Sequence, residues 1–397
     1  MARTGQPGRA GREDRGVAGV VGSERAVERS QDSIPDLLGG RMFRSRLFLS
    51  AVGAVALTLV APMSAPAQGR AVVSPPIVTG LAMPLQIDVS NGSLYVTQAI
   101  GLLTQVDKDG STTDLASEPP GDARDLSGVA AGRKGIAYAT TFFDPADREA
   151  LLKLRKWDGS VKTIADIWEY EQHVNPDGDQ TYGFLNLSKR CAAKVPAEVG
   201  GEPYTGIVDS HPYAIANAWD GGWYVADAGM NAILHVSKWG KISTAAVMPP
   251  QPVRVTAAVA KANKLPACTV GKTYAFEPVP TDVETGHGKL VVSLLPGGPE
   301  DPSLGARGSV YAVNPWKGTF KRLGAGFLGA TNVAVGDNGE IYVAELFGNK
   351  VSKLGFNGRN RTVAKLTNPA SIEYRKGKLY VSYNVFANGS IATIKLH

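Results

Sequence analysis

Four side chains able to ligate a metal or grip a polar ligand stand at similar distances ahead of a repeated Tyr/Val marker. Asp125 and His211 each lie thirteen residues before their markers, Tyr138 and Tyr224. Asn332 lies ten before Tyr342, and Asp282 nine before Val291. If the repeats are alike, the four converge on one rim. Two acids, an imidazole and an amide supply hard oxygen donors and one nitrogen, a set that suits a divalent metal such as calcium. A metal held there, by Asp125 and Asp282 above all, would polarise a bound carbonyl and activate water. Short polar side chains also satisfy backbone groups at strand starts, and that reading of the same residues stands beside the first.

Asp227 and Glu345 occupy matching places after two of the markers, in Ala226-Asp227 and Ala344-Glu345. They either face a central channel, as ligand-binding groups with His211 and Asn332, or pair with a Lys or Arg of the next repeat. Asn175-Pro-Asp-Gly-Asp179 has oxygens at alternate positions, but the Glu that ends a twelve-residue calcium loop is absent, and the segment reads as a turn. His173, His235, His287 and His397 show no metal-ligand spacing. No Ser sits in a Gly-x-Ser-x-Gly context, and the Gly residues punctuate hairpins rather than open helices, so neither a nucleophile elbow nor a phosphate loop is indicated.

The elements that must position these groups are repeats. A Gly stands three residues before an apolar-aromatic strand core six times, at Tyr95-Val96, Tyr138-Ala139, Tyr224-Val225, Val291-Val292, Tyr342-Val343 and Tyr380-Val381. Asn91-Gly92 and Asn338-Gly339 are favoured hairpin turns because both positions take positive φ. A short apolar strand precedes each turn, and a third strand, a second turn and a fourth strand follow. Four antiparallel strands per repeat make a propeller blade. The fold expected is therefore all-β: a six-bladed β-propeller of four-stranded antiparallel blades. The last unit lacks room for a fourth strand, which the segment from Ala71 to Thr79 can supply, so the ring is expected to close through the mature N-terminal strand. Insertions at about 171–210, 249–275 and 296–308 account for the wider spacings.

Composition agrees. The chain has 46 Gly and 25 Pro with only 20% charged residues, as suits strands joined by many tight turns. About half of the net charge of +6 lies before residue 68, and no basic stripe with interleaved aromatics appears, which argues against a nucleic-acid partner. Residues 42–67 combine Arg44 and Arg46, an apolar run from Leu47 to Ala61, and Ala65-Pro66-Ala67, the pattern of a cleaved signal peptide. The run is short for a bilayer span, so no stable membrane span is expected after cleavage. Residues 1–41 read as a non-native or disordered extension, and residues 68–397 as one propeller domain. Two cysteines in an exported chain permit a disulfide, Cys191–Cys268, which would tie two insertions together; the alternative is a pair of free buried thiols.

The order of Asn175-Pro-Asp-Gly178, Ser210-His-Pro-Tyr-Ala214, Val225-Ala-Asp-Ala-Gly-Met-Asn231, Glu277-Pro-Val-Pro-Thr-Asp282, Leu295-Pro-Gly-Gly-Pro299 and Thr331-Asn332 resembles the ScyD/ScyE family of bacterial secreted propellers, across most of residues 72–397. His211 departs from that pattern, where a polar Asn-type residue is expected. The hairpin pattern is also distantly similar to propellers of the NHL and gluconolactonase types. The resemblance implies the fold and export, and it carries over no catalytic residues. The expected function is a secreted, extracellular, monomeric scaffold that binds a small molecule, glycan or protein at its loop face. The competing expectation is a metal-dependent hydrolase or lactonase at the channel mouth.

Overall fold

The computed structural model describes residues 71–396 apart from 91, 119–123, 145, 300–301 and 356–357. The expected extension at 1–41 and signal peptide at 42–67 lie outside the described residues. Seven antiparallel sheets are present among those described. Five are each built from four consecutive strands. Sheet I holds Pro84–Ser90, Ser93–Gln98, Leu102–Val106 and Thr112–Ser117; sheet II holds Arg124–Gly132, Gly135–Phe142, Glu149–Lys156 and Val161–Asp166. Sheet III holds Pro212–Asn217, Trp223–Asp227, Ala232–Val236 and Ile242–Val247. Sheet IV holds Pro280–Gly286, Lys289–Leu294, Gly308–Asn314 and Thr319–Phe327; sheet V holds Ala330–Val335, Ile341–Glu345, Lys350–Lys353 and Arg361–Lys365.

Sheet VI joins the two ends of the described chain. Ile372–Arg375, Lys378–Tyr383 and Gly389–Lys395 are its consecutive strands, and Val72–Val73 and Val78–Leu81 both pair with the last of them. The register sets Val72 against Lys395 and Val78 against Ile391. The seventh sheet was not foreseen as structure at all. Its order is Tyr204–Thr205, Thr181–Phe184, Thr273–Phe276 and Gln251–Arg254, so the two longest insertions pair with each other instead of lying as separate loops. Cys191 and Cys268 form a disulfide between them, with Cα atoms 6.0 Å apart.

The residue after each marker is fully buried in all six repeats: Val96, Ala139, Val225, Val292, Val343 and Val381. Period-2 alternation sends these side chains into cores that lie between successive sheets. Leu126, Val129 and Ile136 of sheet II pack on Tyr95 and Leu103 of sheet I. Val78, Leu81 and Ile391 of sheet VI pack on Ile87, Val89 and Val96 of sheet I. The first strand of each of sheets I to VI neighbours the first strand of the next, and that of sheet VI neighbours that of sheet I.

Turn glycines reinforce the sheet-to-sheet contact. Gly240, with φ at +90°, lies so close to sheet II that a Cβ there would sit 2.2 Å from the Ile164 carbonyl oxygen. Gly110 approaches the Ile77 carbonyl in the same way, at 2.3 Å for the equivalent Cβ. Both the positive φ and the close approach require glycine.

Because strands alternate in direction, the first–second and third–fourth turns of every sheet share one end, called here the turn end. The second–third turns and the links between sheets share the other, the loop end. All three insertions emerge at the loop end.

Candidate binding site at the loop end

A recurrent clamp shapes this end. Asp227, at the end of the second strand of sheet III, accepts from the backbone N–H of His211 at 2.8 Å, of Gly229 and Met230 at 3.0 Å, and from the Ser210 hydroxyl at 2.7 Å. Glu345, at the matching place in sheet V, accepts from Leu328 N–H at 2.9 Å and from the Ser352 hydroxyl at 2.5 Å, with Lys350 Nζ at 3.4 Å. Gln98 does the same in sheet I, accepting from Ala82 N–H at 2.7 Å and donating to Thr104 at 2.8 Å. In each case a buried polar tip fixes the link that enters the first strand. The oxygens of Asp227 and Glu345 are thus taken by this chain's own donors, and Glu345 pairs with a Lys of its own sheet. Gln98 escaped the sequence reading because only acids were compared at this position.

The clamp on His211 holds its ring against sheet II. His211 Nε2 lies 2.8 Å from Asp125 Oδ2, and both side chains are fully buried. Phe143 and Tyr213 present their rings edge-on to the imidazole, at 5.0 and 5.5 Å between centroids. Asp125 faces Thr141 across the strand ladder. His211 Nδ1, Asp125 Oδ1 and Thr141 Oγ1 are buried and find no hydrogen-bond partner among the described residues. A carboxyl bonded to one imidazole nitrogen fixes the orientation of the ring and of its second nitrogen. Polar atoms buried without partners mark sites of bound water or ligand more often than inert core.

Next to this pair the first insertion adds charge. The helix Ile167–Val174 is capped by Asp166, which accepts from Glu169 N–H at 2.8 Å, and it buries Ile167 and Glu171. Arg148 lies over Phe143 and Trp168, at 5.4 and 5.2 Å to the ring centroids, and pairs with Asp209. Glu171 accepts from Asp209 N–H at 3.0 Å. Burial pushes its carboxyl up to about 8, and the charges of Asp227, Asp177 and Asp209 push the same way. Asp177 accepts from Tyr182 at 3.0 Å and Asn231 at 2.8 Å, and burial raises it to about 6. Asn231 in turn accepts from Val279 N–H at 3.1 Å, so one amide side chain ties the first insertion to the link that enters sheet IV. The Asn175–Asp179 segment is a turn, closed by Gly178 N–H on the Asn175 carbonyl at 3.0 Å.

Asp282 and Asn332 belong to a different group. Asp282 accepts from Val333 N–H at 2.8 Å, and Asn332 accepts from Ile372 N–H at 2.9 Å while donating to Gln86 Oε1 at 3.0 Å. Gln86 donates to the Thr281 carbonyl at 3.3 Å, and Ser371 accepts from Ile87 N–H at 3.1 Å. These four residues hold one register position on the first strands of sheets I, IV, V and VI. The count of nine that finds Asp282 also lands on Gln86 before Tyr95 and Ser371 before Tyr380; an amide and a hydroxyl were passed over there. Two residues further along the same strand faces come Asp88, Glu284 and Glu373. Burial raises all three, with Glu373 pushed up to about 8. Asp125 and His211 therefore meet, Asp282 and Asn332 sit in a separate hydrogen-bond layer, and the four do not share one ligand set. Among the described residues no three His, Cys, Asp or Glu side chains gather closely enough to hold a metal ion.

No family model matches the sequence, and no curated protein matches it. Solved structures do match in shape. A glucose dehydrogenase is 11% identical, with 82% of this chain and 100% of that one covered at a TM-score of 0.50. A gluconolactonase from Xanthomonas campestris is 11% identical, covering 81% and 89% at 0.46. Virginiamycin B lyase from Staphylococcus aureus is 13% identical, covering 80% and 96% at 0.44. The scaffold is a β-propeller. At these identities the likeness extends to the propeller fold alone, and the activities of those proteins stay with them.

Proposed function

We propose that this chain is an exported, monomeric six-bladed propeller, similar to the ScyD/ScyE family, that binds a small molecule, glycan or protein at its loop end. Sheets I to VI are the six blades, and the seventh sheet is a cap made by the insertions. The contact of sheet VI with sheet I, and the pairing of residues 72–81 with the last strand, support a closed ring. The disulfide suits an oxidising compartment.

The observation that carries the binding role is the cap. Two insertions, joined by a sheet and a disulfide, stand at the same end as a buried His–Asp pair whose remaining polar atoms find no partner among the described residues. Ordered loops on a rigid scaffold are where recognition concentrates. The test is a thermal melt of the chain, after chelation, against calcium, magnesium, manganese, zinc and a panel of soluble oligosaccharides. A ligand that binds only the folded state raises the melting point by mass action. A rise with an oligosaccharide that His211→Gln removes supports this reading. A rise with a metal, accompanied by lactone hydrolysis, replaces it with a metal-dependent hydrolase.

A further inference from the structure

Four of the six tryptophans in the chain are solvent-exposed, and all four lie at the turn end, away from the cap. Trp157 occupies the third–fourth turn of sheet II, Trp219 the first–second turn of sheet III, Trp239 the third–fourth turn of sheet III, and Trp316 the third–fourth turn of sheet IV. Their exposures are 48%, 48%, 85% and 68%. Val161 and Phe320, the first or second residues after two of these turns, are exposed as well. Lys134 reaches the Gly221 carbonyl at 3.3 Å, and Trp157 Nε1 donates to the Arg133 carbonyl at 3.1 Å, so the turns of neighbouring sheets form one continuous surface.

A turn needs Gly, Asn or Asp and gains nothing from an exposed indole. Exposed apolar surface of this size on one face marks a docking site. The same turns carry Arg133, Lys134, Lys156, Lys238, Lys241 and Lys317, against only Asp158 and Asp220. Both acids are already engaged: Asp158 accepts from Ser160, and Asp220 from Gly222 N–H and His235. The excess charge on this surface is positive.

We propose that the turn end docks on an anionic lipid bilayer, with Trp157, Trp219, Trp239 and Trp316 at headgroup depth and the lysines against lipid phosphates. Indoles prefer the membrane–water interface, and basic residues near it add attraction to anionic lipid. The tips come from hairpin turns at one end of three adjacent sheets, which suits a flat surface more than a groove. Trp219 and Trp316 stack on each other, 5.1 Å between centroids and 20° between planes, so each ring has one face covered by the other. A glycan platform needs free ring faces; an interfacial anchor does not.

The experiment is tryptophan fluorescence of the full chain with vesicles of phosphatidylglycerol and phosphatidylcholine that carry brominated acyl chains. Every Trp lies at or beyond residue 157, so the quenching is read from the described sheets, and two variants separate docking of the turn end from tethering through the apolar run before residue 68. The expected result is a blue shift with quenching, strongest with phosphatidylglycerol and weakened by salt. Trp239→Ser and, separately, Lys238→Glu with Lys241→Glu should each weaken partitioning by about tenfold. Absence of quenching in the unaltered protein overturns the proposal. So does equal quenching in both variants, or a spectral change with soluble polysaccharide or with protein concentration in place of vesicles.

Discussion

The imidazole of His211 and the carboxylate of Asp125 meet at 2.8 Å across the boundary between two sheets, out of reach of solvent. Removing either partner strands the other in the core, which costs about 1–3 kcal/mol beyond the lost bond. Asp125→Ala and His211→Ala should each lower the urea midpoint clearly, and the double variant should lose less than the sum of the two. A double-mutant cycle from equilibrium unfolding reads the coupling directly. Strict additivity would mean that the two groups do not stabilise each other.

Buried carboxyls give the protein a defined pH response. Glu171 is raised from 4.5 to about 8, Glu373 to about 8, Asp282 to about 7 and Asp177 to about 6, each chiefly by burial. The folded state therefore holds protons that the unfolded chain releases near the ordinary carboxyl values. Their contribution is fully favourable below those values and is lost progressively as pH rises from about 4 to the raised values of about 6 to 8. Urea midpoints should fall across that window. Glu171→Gln should flatten the fall, and a slope unchanged by this variant would show that Glu171 does not take part.

The Cys191–Cys268 bridge closes a loop across a sequence separation of 77 residues, for which the chain-entropy model gives about 4 kcal/mol. Cys191→Ser with Cys268→Ser should lower the melting point. Its local effect should appear in limited proteolysis, with cuts within 185–210 and 250–272 before any cut in sheets I to VI. First cuts within the blades would mean that the cap does not open independently.

Two glycines separate backbone strain from packing. Gly221 and Gly240 have similar φ, +81° and +90°, but a Cβ on Gly221 meets nothing within 4 Å, whereas one on Gly240 strikes the Ile164 carbonyl. Gly221→Ala should cost about 1 kcal/mol, from φ alone. Gly240→Ala should cost at least about 2 kcal/mol more, because sheets II and III must separate. Equal losses in thermal unfolding would rule out the close contact.

The repeat was legible in the sequence because each hairpin carries a Gly at a fixed distance from an alternating strand core, a local signal with a local cause. The disulfide was legible because two cysteines admit one pairing. The cap was not, since its strands are two to four residues long and the two insertions pair across about 90 residues, as Phe184 does with Tyr274, beyond the reach of any periodicity. Asp227 and Glu345 were found by their matching positions, but their role was open, because sequence does not show that the partner is a backbone N–H. No local pattern separates Glu171 from the exposed Glu169 on the same helix. Only packing against Asp209 reveals that Glu171 is buried.

Pairing between residues 72–81 and 389–395 also sets the order of events during synthesis. The earliest strands of the domain wait without neighbours until the last strand exists, and the two cores that include Ile391, Ala392 and Ile394 wait with them. Such distant pairing is slow, and an unpaired edge invites aggregation or proteolysis. A copy that stops short of Gly389 keeps that edge permanently. The join between residues 72–81 and 389–395 thus makes the last strand the piece on which the first strands depend.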